Sequence, residues 1–383
     1  MGPRFRALCS QSFKTVATPP ALALLLGLLA CSDPSTSGDA GAPDTTADVH
    51  EDAQPRPDAD ARADGSTGLD AREPFDTGPA SDAGELPGDD CIPTPRAGRQ
   101  TYECGGLEFD LNVPARCFAG GCGLIMDVHG FSMSGIMEEN NTGLAALGEA
   151  RGFIVIQPNA NGPRYATSWS EADDPQVFDF LQRVERIFSV DSRKVHMTGF
   201  SQGGYMSWRF VCAHSDHLAS VAVAAGASNC PAGAGFGGGL VVPACSYSGS
   251  EVPSEAIPVL YMHGRNDTNY VPFSCAEPQV DAVRAHLGLT ESVEVASDAS
   301  HEWMRYTSTA SNSPALLETL FHEYSSDEAV PFVDASRLLG HCIPGSTDPG
   351  GESGQIFSFK CQQASAFVWG EVTLDFFEAH PRR

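Results

Sequence analysis

TGFSQGGYM, residues 198–206, sets a serine between two glycines in the pattern G-x-S-x-G. In a chain with 39 glycines among 383 residues, the pentapeptide alone carries little weight. Its surroundings decide. KVHMT (194–198) before it reads as a short buried strand, and GGYMSWRFVCAH (203–214) after it reads as a helix. A strand–turn–helix elbow presents a serine hydroxyl on a tight, strained turn, and Gly199 and Gly203 leave out side chains that would strike neighbouring backbone. Ser201 is therefore the candidate nucleophile. The helix N-terminus beneath it favours negative charge.

The same strand grammar extends through the chain. LIMDVH (124–129), FIVIQP (153–158), LASVAVAA (218–225) and IPVLYMH (257–263) are short, continuous apolar runs, as parallel strands covered on both faces should be. Between them, VFDFLQRVERIF (177–188) places Val177, Phe180, Leu181, Val184 and Phe188 on one helical face, and QVDAVRAHLG (279–288) ends on a glycine stop. Strand and helix in alternation predict an α/β, doubly wound, mostly parallel sheet, with ligands at the carboxyl ends of its strands.

A serine needs a histidine to take its proton and an acid to orient that histidine. In a fold of this kind the order along the chain is serine, acid, histidine. YMHGRNDTNYVPF (261–273) supplies strand, turn and Asp267. Downstream stand His301, His322 and His341, while His286 falls inside a helix and His380 in the tail. ETLFHEYSS (318–326) and VPFVDASRLL (330–339) read as a hairpin, after which Gly340, Pro344 and Gly345 mark a loop around His341. His341 is the expected base, with His301 as the alternative. The expected oxyanion donors are the backbone N–H groups of Gln202 and of Phe131 in the loop DVHGFS (127–132). His129 is expected to brace that loop.

Residues 1–30 combine a basic leader (Arg4, Arg6, Lys14) with the ten-residue apolar core ALALLLGLLA, too short to span a bilayer and of signal-peptide length. LLAC resembles a lipobox, which makes Cys31 the expected lipidation site. Residues 31–90 hold 16 acidic side chains against three arginines and almost nothing apolar, and read as a disordered tether. Residues 91–383 read as one catalytic domain, expected to be a monomer, of net charge −16. That charge argues against nucleic acid, and against the membrane except through a lipid anchor. This domain carries ten cysteines, an even number that in an exported chain predicts disulfides. Cys117 with Cys122 is the simplest local pair, and Cys342 with Cys361 would pin the loop carrying His341. No cysteine or histidine spacing suggests a metal, and no cofactor is expected.

HGF (129–131), VDSRKVHMTGFSQGGYMSWRFVCAHSDHLASVAVAAGA (190–227), VLYMHGRNDTNYVP (259–272) and GHCIPGS (340–346) together resemble the polyhydroxybutyrate depolymerase-like esterases. These secreted α/β-hydrolases include feruloyl and acetylxylan esterases. The likeness covers most of residues 105–380 and implies a triad of Ser201, Asp267 and His341. It implies an ester substrate: a hydroxyalkanoate oligomer, a feruloylated or acetylated saccharide, or a small ester. Two departures stand out: one extra residue between Asp267 and Val271-Pro272, and Ile343 where the family loop has tryptophan. The second bears on substrate identity. Rival readings are a peptidase on the same fold and a non-catalytic binding lipoprotein.

Overall fold

A computed structural model describes residues 86–163, 166–230, 245–309, 315–330, 336–349 and 358–383, all within the second of two compact units, residues 76–383. The leader, Cys31 and nearly all of the acidic tether lie outside the described residues. The chain enters through a hairpin, β1 (Gly98–Cys104) and β2 (Leu107–Val113), and then alternates. β3 (Gly123–Val128), α1 (Gly135–Thr142), α2 (Leu144–Arg151), β4 (Phe153–Asn159) and α3 (Asp174–Ile187) come first. β5 (Val195–Phe200), α4 (Gln202–His214), β6 (Ser220–Ala224), β7 (Val259–Gly264) and α5 (Phe273–Leu287) follow. The last part holds β8 (Glu291–Ser297), β9 (His301–Thr307), β10 (Leu316–His322), β11 (Ser326–Ala329), β12 (Arg337–Leu339) and α6 (Trp369–Ala379).

Ten strands form one sheet in the order β1-β2-β4-β3-β5-β6-β7-β10-β9-β8. The central run from β4 to β10 is parallel, and antiparallel hairpins close both edges. β3, β5, β6, β7 and β10 are buried along their whole length, which is why their sequences show no polar alternation. Successive side chains feed two apolar layers. Val259 and Tyr261 join one face with α3, α4 and α5, while Leu260 and Met262 join the other with α1, α2 and α6. This is the architecture of an α/β-hydrolase.

Helix α3 buries Val177, Phe180, Leu181 and Val184 of the predicted stripe, together with Ile187, and Phe188 is buried at its C-cap. α5 stops at Gly288, which takes φ 63° and returns its N–H to the Arg284 carbonyl. One expectation fails. Among the described residues, the run ETLFHEYSS meets VPFVDASRLL only at Ser326, which pairs with Leu339: its first part becomes β10, parallel to β7 and antiparallel to β9. All seven β10 residues are buried, and a strand buried on both faces belongs inside the sheet. Ser326–Ala329 and Arg337–Leu339 instead make a separate two-stranded ribbon, and residues 331–335 lie outside the described residues.

Five disulfides tie the domain: Cys91–Cys104, Cys117–Cys122, Cys212–Cys245, Cys230–Cys275 and Cys342–Cys361. The second and fifth are the two pairs expected from sequence. Among the described residues no helix is long and apolar enough to cross a membrane, and no His, Cys, Asp and Glu cluster has the form of a metal site.

Candidate active site

β5 ends at Phe200 and α4 starts at Gln202, so the whole reversal falls on Ser201, at φ 55° and ψ −114°. A β-carbon on Gly203 would lie 1.9 Å from the Val128 carbonyl oxygen, so only glycine lets α4 rise this close to β3. The Ser201 N–H is held by the Ala224 carbonyl at 2.8 Å, which joins the elbow to β6.

The structure brings Ser201, His341 and Asp267 into one hydrogen-bonded chain. Ser201 Oγ and His341 Nε2 are 2.9 Å apart, and His341 Nδ1 and Asp267 Oδ2 are 2.6 Å apart. With the hydroxyl donating to Nε2, the proton on His341 sits at Nδ1 and points to the carboxyl. His341 and Asp267 are buried, whereas Ser201 keeps partial exposure. Asp267 Oδ1 accepts the N–H groups of Tyr270 (3.2 Å) and Val271 (3.3 Å), so the turn after β7 fixes the acid by its own backbone.

Gly340 brings the base to the acid. A β-carbon there would come within 2.3 Å of the Asp267 nitrogen, so the loop carrying His341 lies directly on the loop carrying Asp267. The Cys342–Cys361 bridge anchors the next residue. Ile343, noted above as a departure from the esterase loop that the sequence resembles, is fully buried and exchanges backbone hydrogen bonds with Phe359 and Cys361. It packs in the same apolar cluster as Phe200 and Met133.

The loop after β3 reaches the elbow as well. A β-carbon on Gly130 would lie 3.1 Å from Ser201 Cβ, so the residue just before Phe131 lies against the Ser201 side chain. Gln202, the other expected donor, is the first residue of α4, where backbone N–H groups have no partner within the helix. His129 braces this loop: its Nε2 accepts the Ala160 N–H at 3.0 Å and its Nδ1 donates to the Gly130 carbonyl at 2.7 Å. Burial pushes the His129 ring down to about 4, the Gly130 carbonyl opposing, so it is neutral near pH 7.

His301 starts β9, where its Nδ1 lies 3.0 Å from Asp298 Oδ1. His322 is buried in β10, and burial lowers its ring to about 3. His263 Nε2 lies 3.7 Å from Asp267 Oδ2, yet both ring nitrogens have closer partners, the Tyr261 hydroxyl and the Val271 carbonyl, each at 2.7 Å. Burial lowers the His263 ring.

Two neighbours escaped sequence reasoning. Trp169 donates its Nε1 proton to the His129 carbonyl and its N–H to the Gln202 side chain, both at 2.8 Å, sewing the 168–170 segment to the elbow. Tyr270 stacks on the His341 imidazole. The position of Tyr270, three residues after the acid in an aspartate-initiated turn, was the available signal.

No family model matches the chain. In sequence it is similar to a bifunctional acetylxylan esterase/xylanase of Neocallimastix patriciarum, 20% identical over 147 residues, which is 38% of this chain and 19% of that protein. It is also similar to feruloyl esterase D of Neurospora crassa, 33% identical over 94 residues, 24% of this chain and 32% of that protein. The matches thus span about a fifth and about a third of those relatives' lengths. Among solved structures, an acetyl xylan esterase from Aspergillus awamori aligns with TM-score 0.46 and 15% identity over 59% of this chain and 92% of that one. An S-formylglutathione hydrolase from Staphylococcus aureus aligns with TM-score 0.37 and 14% identity over 50% of this chain and 87% of that one.

Proposed function

We propose that this chain, a feruloyl/acetylxylan esterase-like α/β-hydrolase, is an exported serine carboxylic-ester hydrolase acting through Ser201, His341 and Asp267. The observation that carries the reading is the unbroken hydrogen-bond chain from a partly exposed, strained serine through a buried imidazole to a buried carboxyl. His341 Nε2 takes the Ser201 proton as Oγ attacks the ester carbonyl carbon. Asp267 keeps the imidazole in the tautomer that can accept that proton and stabilises the cation formed. The developing oxyanion is held by the N–H groups of Phe131 and Gln202. His341 then returns the proton to the departing alcohol, and water, activated by the same base, hydrolyses the acyl-enzyme.

Export is supported by the five disulfides, which persist in oxidising compartments. Substrate class is supported by the curated relatives, one named an acetylxylan esterase/xylanase and the other a feruloyl esterase. The test compares the full-length chain with Ser201→Ala on p-nitrophenyl acetate, methyl ferulate, acetylated xylan and a hydroxybutyrate oligomer. The wild type should hydrolyse at least one of these esters, and the variant should lose on the order of 10⁴–10⁶ in turnover while melting like the wild type. A folded variant that keeps more than about a tenth of the activity would refute the assignment, since losing a triad member costs far more.

A further inference from the structure

The base has an aromatic neighbour that the acyl-transfer scheme leaves unused. The Tyr270 ring lies on the His341 imidazole with centroids 4.9 Å apart and planes 21° apart, an offset stack. Its other attachments converge on the same machinery. The Tyr270 N–H donates to Asp267 Oδ1 at 3.2 Å, so acid and ring share one turn. The phenol oxygen lies 3.0 Å from Ser336 Oγ, just ahead of the strand that leads into His341. Asn269, its chain neighbour, donates to the Arg337 carbonyl at 2.9 Å in that same segment. Phe200 adds a second ring, 4.8 Å from the imidazole and tilted by 44°.

We propose that Tyr270 is a positioning residue for the base: its ring sets the imidazole plane and stabilises the imidazolium formed when the Ser201 proton passes to His341. The proposal rests on the Ser201–His341–Asp267 reading above. An aromatic face within about 6 Å of a cation attracts it through the ring quadrupole, and the attraction grows where water is excluded. His341 is 1% exposed, so little water competes. The imidazole is neutral before proton transfer and cationic after it, so the ring favours the transition state over the bound substrate. Such an interaction acts on kcat and leaves KM nearly alone. Burial raises the Tyr270 phenol above its ordinary value, the Ser336 hydrogen bond opposing, so the ring stays uncharged at working pH.

Three variants of the full-length chain, assayed on p-nitrophenyl acetate with thermal melts alongside, test it. Tyr270→Leu keeps bulk and apolarity without the ring and should lose roughly 5–30-fold in kcat, with KM changed by less than about twofold. Tyr270→Phe keeps the ring without the hydroxyl and should restore most of that loss. If the leucine variant melts early, Tyr270→Met takes its place under the same criteria. An unchanged kcat in a folded leucine or methionine variant overturns the proposal. Equal damage in Tyr270→Phe also overturns it, because the hydroxyl tether to Ser336 would then be what matters. Ser201→Ala separates the two levels: if it stays active, the triad reading fails and this role with it. If Ser201→Ala is inactive and Tyr270→Leu is not, only the role of Tyr270 falls.

Discussion

A non-glycine residue at φ 55° and ψ −114° holds backbone strain on the order of 1–3 kcal/mol, and Ser201 carries it at the one point where a hydroxyl must leave the sheet. The strain is held by neighbours, through the Ala224 carbonyl on the Ser201 N–H and the Val128 backbone pressed on Gly203. Ser201 and Asp267, which the structure joins through His341, could be picked out as candidates from sequence because each is specified locally, by a strand followed by a turn of fixed composition. The histidine was legible only as a choice among three, since its loop meets the acid 74 residues away in the chain. Trp169 was not legible as a site residue, because a side-chain bridge leaves no pattern in one sequence, and Tyr270 was marked only by its place three residues after the acid, which does not show ring stacking. His301 already holds Asp298 at 3.0 Å, while His341 holds Asp267 at 2.6 Å and Ser201 at 2.9 Å. His341→Ala should therefore lose ester turnover to the same depth as Ser201→Ala, and His301→Ala should keep most of it. Steady-state rates on p-nitrophenyl acetate check this, and the reverse order would move the base to His301.

At the scale of elements, β3 and α1 share a buried acidic junction just ahead of the loop carrying Phe131. Asp127 Oδ2 accepts the Thr142 hydroxyl at 2.9 Å and the Gln157 amide at 3.1 Å, and Glu138 on α1 is 1% exposed. Burial raises Asp127 from 3.8 to about 7, with Gln157 and Thr142 opposing and Glu139 adding to the rise; Glu138 is raised well above its ordinary value by burial and by these carboxyls. Between about 4 and 7 the folded chain keeps a proton that the unfolded chain releases, so stability from Asp127 is full below that window and falls as pH rises through it. Asp127→Asn is neutral throughout. It should flatten that decline and be the more stable form at pH 7.5, by an amount on the order of a few kcal/mol at most. Urea unfolding at pH 4.5 and 7.5 measures it, and identical pH dependence in both proteins would refute the junction's role. The acidic junction went unnoticed in the sequence because Asp127 reads as one polar residue in an apolar strand. The misread hairpin has a related cause: an apolar run signals burial, but the choice of strand partner depends on the rest of the sheet. ETLFHEYSS lies next to VPFVDASRLL in sequence, yet β10 finds partners on both sides in β7 and β9.

The fold as a whole was the most legible level, since five buried strands and their intervening helices announce a doubly wound sheet without any long-range information. Its flanking hairpins, though local pairings of consecutive strands, were not read, nor were three of the five disulfides, of which Cys212–Cys245 and Cys230–Cys275 join segments 33 and 45 residues apart. Cys230–Cys275 joins the residues after β6 to the first turn of α5, and Cys342–Cys361 holds the loop of His341, so these two bridges stiffen segments near the carboxyl ends of the strands, while Cys212–Cys245 ties the last turn of α4. The net charge of −26 over the full chain suits neutral esters better than polyanions. All of this structure serves one claim, that the geometry activates Ser201 as a nucleophile. Labelling the folded, full-length chain with a fluorophosphonate and mapping the adduct by peptide mass spectrometry tests that claim most directly, because the reagent is attacked only by an activated serine. A single adduct on the peptide containing Ser201, lost in His341→Ala, is the expected result. A folded wild-type chain that takes no label, or takes it on another serine, contradicts the account.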